Sequence, residues 1–247
     1  MDTPEYIYKY QQFNVNNISA LNGSQLWFSD FVSLNDPFEA TYNLTAELIF
    51  NNAYNFQNID QTITKIIGDS AVCSFSNISP DDKEHFKTNA LMWSHYAGQF
   101  SGICIEFNKR LLLSTLMSGQ GLEMSSGDVF YSDLLHSYSN PNQAYDRDVM
   151  FKKHSAWEYE EEFRIIFSKP FNDDKYYPPV RGLHHYDPKA ISRIFIGGRM
   201  GCDQIDLLRV VRDNINKDIE LVQLSRNSQG YGFGARGFDI DDVSPPF

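Results

Sequence analysis

Apolar and polar positions alternate with period two in several short runs and recur at helical spacing in a few longer ones. Tyr6-Ile7-Tyr8-Lys9-Tyr10 is aromatic and β-branched, as a strand requires, and Gln25 to Ser29 returns as a second strand. Between them Val15 to Leu21, followed by Gly23, predicts a short capped helix. Asn35-Asp36-Pro37 marks a turn, Ala40 to Phe56 fits neither period, and a helix from about Asp60 to Ile67 stops at Gly68. Ala71 to Ser76 reads as a strand, and Ser79-Pro80 opens a helical region running irregularly to Tyr96. From Gly102 to Phe107, Ile103, Ile105 and Phe107 alternate with Cys104 and Glu106, which predicts a half-buried strand.

In the second half the pattern predicts a helix near Lys109 to Met117, a strand at Asp128 to Tyr131 and a helix from about Asn142 to Ser155. An acidic strand follows at Trp157 to Phe167, then a strand at Ile191 to Ile196, a helix from Asp203 to Ile215, a strand at Ile219 to Leu224 and a glycine-rich tail. Strands outnumber long helices and do not alternate strictly with them. The expected class is α+β, with a mixed, mostly antiparallel, split sheet flanked by helices, rather than a doubly wound parallel sheet. No internal repeat, low-complexity tract or long linker interrupts the chain, so residues 1–247 read as a single domain.

Composition narrows the function classes. The chain has 247 residues, 42% hydrophobic and 15% aromatic, enough to bury a substantial core. Cys73, Cys104 and Cys202 are odd in number and lack metal-ligand spacing, so they read as reduced thiols, with no structural zinc site. No run approaches the roughly 18 apolar residues of a membrane span, and the N-terminus lacks a secretory pattern; the expected location is the cytoplasm. A formal charge of -11 opposes extended nucleic-acid binding but leaves room for a local basic pocket.

The most chemically loaded segment is Trp157-Glu158-Tyr159-Glu160-Glu161-Glu162-Phe163-Arg164. As a strand it sets Tyr159, Phe163, Ile165 and Phe167 on one face and Glu160, Glu162 and Arg164 on the other, with the two carboxylates about 7 Å apart. Such a pair repels unless a cation neutralises it, a part open to Arg164. The plainer alternative is an edge strand with a solvated charged face. Glu161 would then sit among apolar side chains, so the strand is bulged there or lies near the end of its sheet. In Met92-Trp93-Ser94-His95-Tyr96, His95 is either a proton shuttle or ligand contact, or a core histidine bonded to a carbonyl. Ser74 and Ser76 share a strand face, where they either hold a ligand's ribose or order the acidic strand. Asn35-Asp36-Pro37 is a turn, and Gly197-Gly198-Arg199-Met200-Gly201 lacks phosphate-loop spacing and defaults to a tight strand-to-helix turn.

Taken in order, Tyr8-Lys9-Tyr10, Leu26 to Ser29, Asn35 to Glu39, Cys73 to Ser76, Met92 to Tyr96 with Gly102 and Glu106, Lys153 with Trp157, Glu160-x-Glu162-x-Arg164 and Ile196-Gly197 resemble a bacterial family catalogued as domain of unknown function 2971. That resemblance reaches to about Gly198 and implies no established activity. A looser one is to ADP-ribosyltransferases, which carry a first-strand Arg or His, a middle Ser-x-Ser and a late Glu-x-Glu. Lys9, Ser74-Phe75-Ser76 and Glu160-Glu161-Glu162 fall in that order, with Lys9 departing at the first position, where Tyr8 or Tyr10 would substitute. This second resemblance implies NAD as substrate and an ADP-ribosyltransferase or NAD glycohydrolase of the toxin or phage-defence kind. Ser74 or Ser76 would contact ribose, and Glu162 would stabilise an oxocarbenium-like centre. Glu160 would activate an acceptor, and Trp27, Tyr96 and Tyr131 would supply stacking faces.

Two readings from other classes stand beside it. One is a metal-dependent phosphodiesterase or nuclease built on Asp36, Glu106, Glu160 and Glu162. The other is a non-catalytic sensor or interaction module whose motif residues lock the fold.

Overall fold

The computed structural model describes residues 5–51, 56–116, 121–171, 175, 177, 179–228 and 231–237. Along the chain these form β1 (Tyr6–Gln11), α1 (Val15–Asn22), β2 (Gln25–Phe28), β3 (Tyr42–Leu44), α2 (Ala46–Asn51), α3 (Phe56–Gly68), β4 (Ser70–Ser76), α4 (Phe86–His95), β5 (Ile103–Asn108) and α5 (Lys109–Thr115). There follow β6 (Glu123–Asp128), β7 (Phe130–Tyr131), β8 (His136–Tyr138), β9 (Lys152–Lys153), β10 (Glu162–Ser168), β11 (Gly182–His185), β12 (Ile191–Ile196), α6 (Cys202–Ile215), β13 (Glu220–Arg226) and β14 (Phe233–Gly237). The class is α+β with mostly antiparallel pairing. The chain divides into two compact units, and the division falls inside β4. The first unit takes residues 1–26, 75–117 and 184–247; the second takes 27–74 and 118–183.

In the first unit the strand order is β14-β13-β12-β5-β1. Only β12 and β13 run parallel, joined by α6 in a crossover; the other neighbours are antiparallel. Register sets Tyr8 opposite Glu106 and Tyr10 opposite Cys104, and Arg193 stands beside Glu106, so these side chains share one face. Covering that face is α4, whose Trp93 meets the Tyr10 ring edge-on at 5.3 Å and whose Asn89 accepts from the Tyr10 hydroxyl at 3.0 Å. The strand expected to be half-buried is buried on both faces from Ile103 to Phe107, and an ion pair lets Glu106 remain inside.

The second unit pairs β10 with β6 antiparallel, Phe163 opposite Asp128, and β4 lies on the other side of β10. Short parallel pairs β3–β8 and β7–β9 complete its ladders. Its core gathers Phe31, Leu48, Val72, Tyr138, Val149, Met150 and Ile166 under α3, which contributes Ile59, Ile63, Ile66 and Ile67 at helical spacing.

Three expectations change in this unit. Instead of a helix over residues 142–155 there are 3₁₀ turns at Pro141–Tyr145 and Asp148–Phe151, and then β9. The expected strand at residues 128–131 is split, because Val129 turns its N–H to the Glu162 carbonyl at 2.8 Å. The acidic strand starts only at Glu162: Ser155–Glu160 is a 3₁₀ turn closed by exposed Glu161 in the left-handed region at φ 40°. Glu161 thus marks the end of the sheet. With neighbours on both sides and every residue from Glu162 to Ser168 buried, β10 is not an edge strand with a solvated face.

Candidate functional site

The second unit assembles Glu39, Lys153, Glu160, Glu162 and Arg164 into one buried ionic cluster. Glu39 arrives from the turn at Asp36, where the Asp36 carboxylate accepts from the Phe38 N–H at 2.9 Å and its carbonyl from the Glu39 N–H at 3.2 Å. Lys153 arrives on β9, held by pairing with Tyr131. The left-handed kink at Glu161 turns Glu160 out of the strand path, so both acidic side chains meet the same ammonium rather than sitting two residues apart on a pleat.

Arg164 is fully buried, and all five of its guanidinium N–H groups find acceptors. Nε donates to Glu162 Oε1 at 2.8 Å and Nη2 to Glu162 Oε2 at 3.1 Å. Nη1 and Nη2 grip Glu39 at 3.0 and 2.7 Å, and Nη1 also donates to the Met150 carbonyl at 2.7 Å. Two forked pairs on one guanidinium are the strongest geometry this side chain offers. Lys153 Nζ lies 2.6 Å from Glu160, 3.4 Å from Glu162 and 3.6 Å from Glu39, with the Trp157 ring centroid 4.7 Å away.

The electrostatics follow from that packing. Burial pushes the Glu162 carboxyl upward, but Arg164 and Lys153 outweigh it and hold the group at about 2, from an ordinary 4.5, with a Ser74 hydrogen bond adding to the fall. Burial alone would lower the Lys153 and Arg164 values; for Lys153 the charges of Glu162 and Glu160, and for Arg164 those of Glu162 and Glu39, raise them instead. The Tyr131 hydroxyl accepts from the Glu162 N–H at 2.9 Å, and burial first, then the Glu162 and Glu160 charges, push its ionisation up.

A second ion pair, buried at Glu106 and part-exposed at Arg193, belongs to the first unit. Arg193 forks onto Glu106 at 2.9 and 2.6 Å and reaches Asp81 at 3.7 Å. Tyr8 bonds Ser79 and Glu106, and burial is the main cause raising its ionisation. Asn89 ties this face together, donating to the carbonyls of Ser79 and Asp82, both at 3.0 Å.

Of the residues singled out in the sequence, Glu160, Glu162, Arg164 and Ser74 come together in the second unit. Tyr8, Tyr10 and Ser76 lie in the first; Ser76 is in register with Tyr8, and its hydroxyl accepts from the Ile78 N–H at 3.2 Å. Lys9 points to the other face of β1, over the Phe75 ring at 5.4 Å, so it does not join Tyr8 and Tyr10. His95 is not a core histidine: it is the exposed last residue of α4, edge-on to Tyr96. Trp27 is half-exposed beneath Arg181. Within the Gly197–Gly201 strand-to-helix turn, the Gly197, Arg199 and Met200 amides donate to carbonyls and the Gly201 amide to the Gln204 side chain. Sequence reasoning missed Glu39 and Lys153 as charge partners, although both stood inside motifs it had noticed. Arg193 carried no local signal at all.

Residues 92–165 match the model of a family described as Protein of unknown function (DUF2971). Similarity to DUF2971 proteins therefore spans Met92 in α4 to Ile165 in β10, a narrower reach than the motifs suggest, and it takes in Lys153, Trp157, Glu160, Glu162 and Arg164. No curated protein and no solved structure matches the chain. Among the described residues no helix is long and apolar enough to cross a membrane, and no group of three His, Cys, Asp or Glu side chains is placed to hold a metal ion.

Proposed function

We propose that the chain is a sensor or interaction module that binds its ligand without transforming it, and that its acidic motif is an internal lock of the second unit. The observation that carries this is the saturation of Glu162. Both carboxylate oxygens are engaged by Arg164, one of them also by Lys153, and the side chain is only 4% exposed. A carboxylate that works on a substrate must present an oxygen to the reacting atoms and interact more strongly with the transition state than with the bound substrate. Here that charge faces two cations of the protein itself. The test joins thermal melting of Glu162→Gln to an assay for nicotinamide release from NAD by the wild-type chain; the expected result is a large loss of stability and no turnover.

One contact favours a second reading, an NAD-dependent ADP-ribosyltransferase or NAD glycohydrolase. Ser74 bonds Glu162, bringing the middle serine and the late glutamate of that resemblance together, and Glu162 stays ionised far into acid. A fixed negative charge of this kind suits a ribose carbon that becomes cationic as nicotinamide leaves. Nicotinamide release abolished by Glu162→Gln in a stably folded variant would establish it. The metal-dependent phosphodiesterase loses ground, because the Lys153 ammonium occupies the centre of the three carboxylates.

A further inference from the structure

Away from the ionic cluster, the first unit holds a cleft of about 500 Å³ walled by Trp93, Phe100, Tyr231 and Phe233, with Arg199 and Arg226 also lining it. This volume lies in the range of ordinary small-molecule sites. Two observations converge on it. The chain carries a formal charge of -11, but this lining contains two arginines and no aspartate or glutamate. Arg226 is exposed and, among the described residues, has no ion-pair partner, while the Arg199 side chain donates to the Gln99 carbonyl at 3.3 Å and pairs with no carboxylate among those residues.

The second observation is the backbone under Phe100. Gly98, Gln99 and Phe100 all hold positive φ, at 57°, 57° and 72°, although two of them carry side chains. Such a conformation persists only where its surroundings enforce it. Here the Phe100 N–H donates to the Trp93 carbonyl at 3.2 Å and the Phe100 carbonyl accepts from the Arg199 N–H at 2.9 Å. The loop thereby fixes Phe100 in a stack with Phe233, centroids 4.7 Å apart, and edge-on to Trp93 at 5.2 Å.

We infer that this cleft binds a flat heteroaromatic anion of nucleoside-phosphate type, with the ring against the aromatic wall and the phosphate on Arg199 and Arg226. Aromatic faces accept any base, and guanidinium groups suit phosphate oxygens. The inference rests on the binding reading proposed above and gives it a ligand class, but it uses none of the cluster residues.

Calorimetric titration of the full chain with the four nucleoside monophosphates, the matching nucleosides and inorganic phosphate tests it. At least one monophosphate should bind, with its nucleoside and phosphate alone each weaker by about tenfold or more. Arg226→Gln, a change on an exposed side chain, should weaken binding by about tenfold. Monophosphates no tighter than phosphate alone, or an Arg226→Gln affinity equal to wild type, would overturn the assignment. Glu162→Gln separates the two ideas. If that variant melts early and no nucleotide binds the wild type, the cleft assignment falls and the lock survives. If it melts like the wild type but loses the nucleotide, the lock and the cleft assignment both fall.

Discussion

Arg164 and Glu39 stand 125 positions apart in the chain and close a forked ion pair at 2.7 and 3.0 Å, with neither side chain more than 1% exposed. That contact ties the turn after Pro37 to β10 and gives the second unit a polar centre beside its apolar one.

Removing one partner of this pair leaves a buried charge uncompensated. Arg164→Met or Glu39→Ala should therefore cost about 3–5 kcal/mol, read as a fall in the thermal midpoint of roughly 10 °C or more. Arg164→Lys should recover little of it, because one ammonium cannot serve the acceptors that five guanidinium N–H groups reach.

Acid should act through Glu162. Its carboxyl titrates near 4.5 in the unfolded chain and at about 2 in the folded one, so its contribution is complete above about 4.5 and disappears as pH falls from there through 2. The amount at stake is about 3 kcal/mol. Melts across that window should show a steep loss for the wild type and a shallower one for Glu162→Gln, which has no such proton to take up.

Tyr131→Phe should leave the Glu162 N–H without its acceptor. The expected cost is about 1–3 kcal/mol, together with faster hydrogen exchange at that amide.

Gly102→Ala tests the first unit. An added Cβ would press on the backbone carbonyls of Gln11 and Ala97, which cannot retreat without breaking the Gly102 N–H bond to Ala97 at 2.8 Å. A loss of more than about 2 kcal/mol is expected on denaturant unfolding.

Where local patterning and packing agree, the elements were legible: β1, β4, β12 and α6 lie within a residue or two of their expected bounds. Residues 142–155 were not legible. A helix there would need the Met150 carbonyl for its own ladder, and Arg164 takes that carbonyl instead. The acidic run misled for a related reason. Its alternation continues through Glu160 and Glu161 on paper, whereas a left-handed residue breaks the pleat there so that two carboxylates can share Lys153. Pairings such as Arg164 with Glu39, or Arg193 with Glu106, join positions far apart in sequence, and no local window contains them.

The claim that the acidic motif is a lock is tested most directly by one comparison: thermal midpoint and nicotinamide release from NAD, measured side by side for the wild type and Glu162→Gln. The account predicts that the variant melts roughly 10 °C lower, from the loss of about 3 kcal/mol, and that neither protein consumes NAD. A variant that melts with the wild type while abolishing NAD turnover that the wild type performs would contradict it.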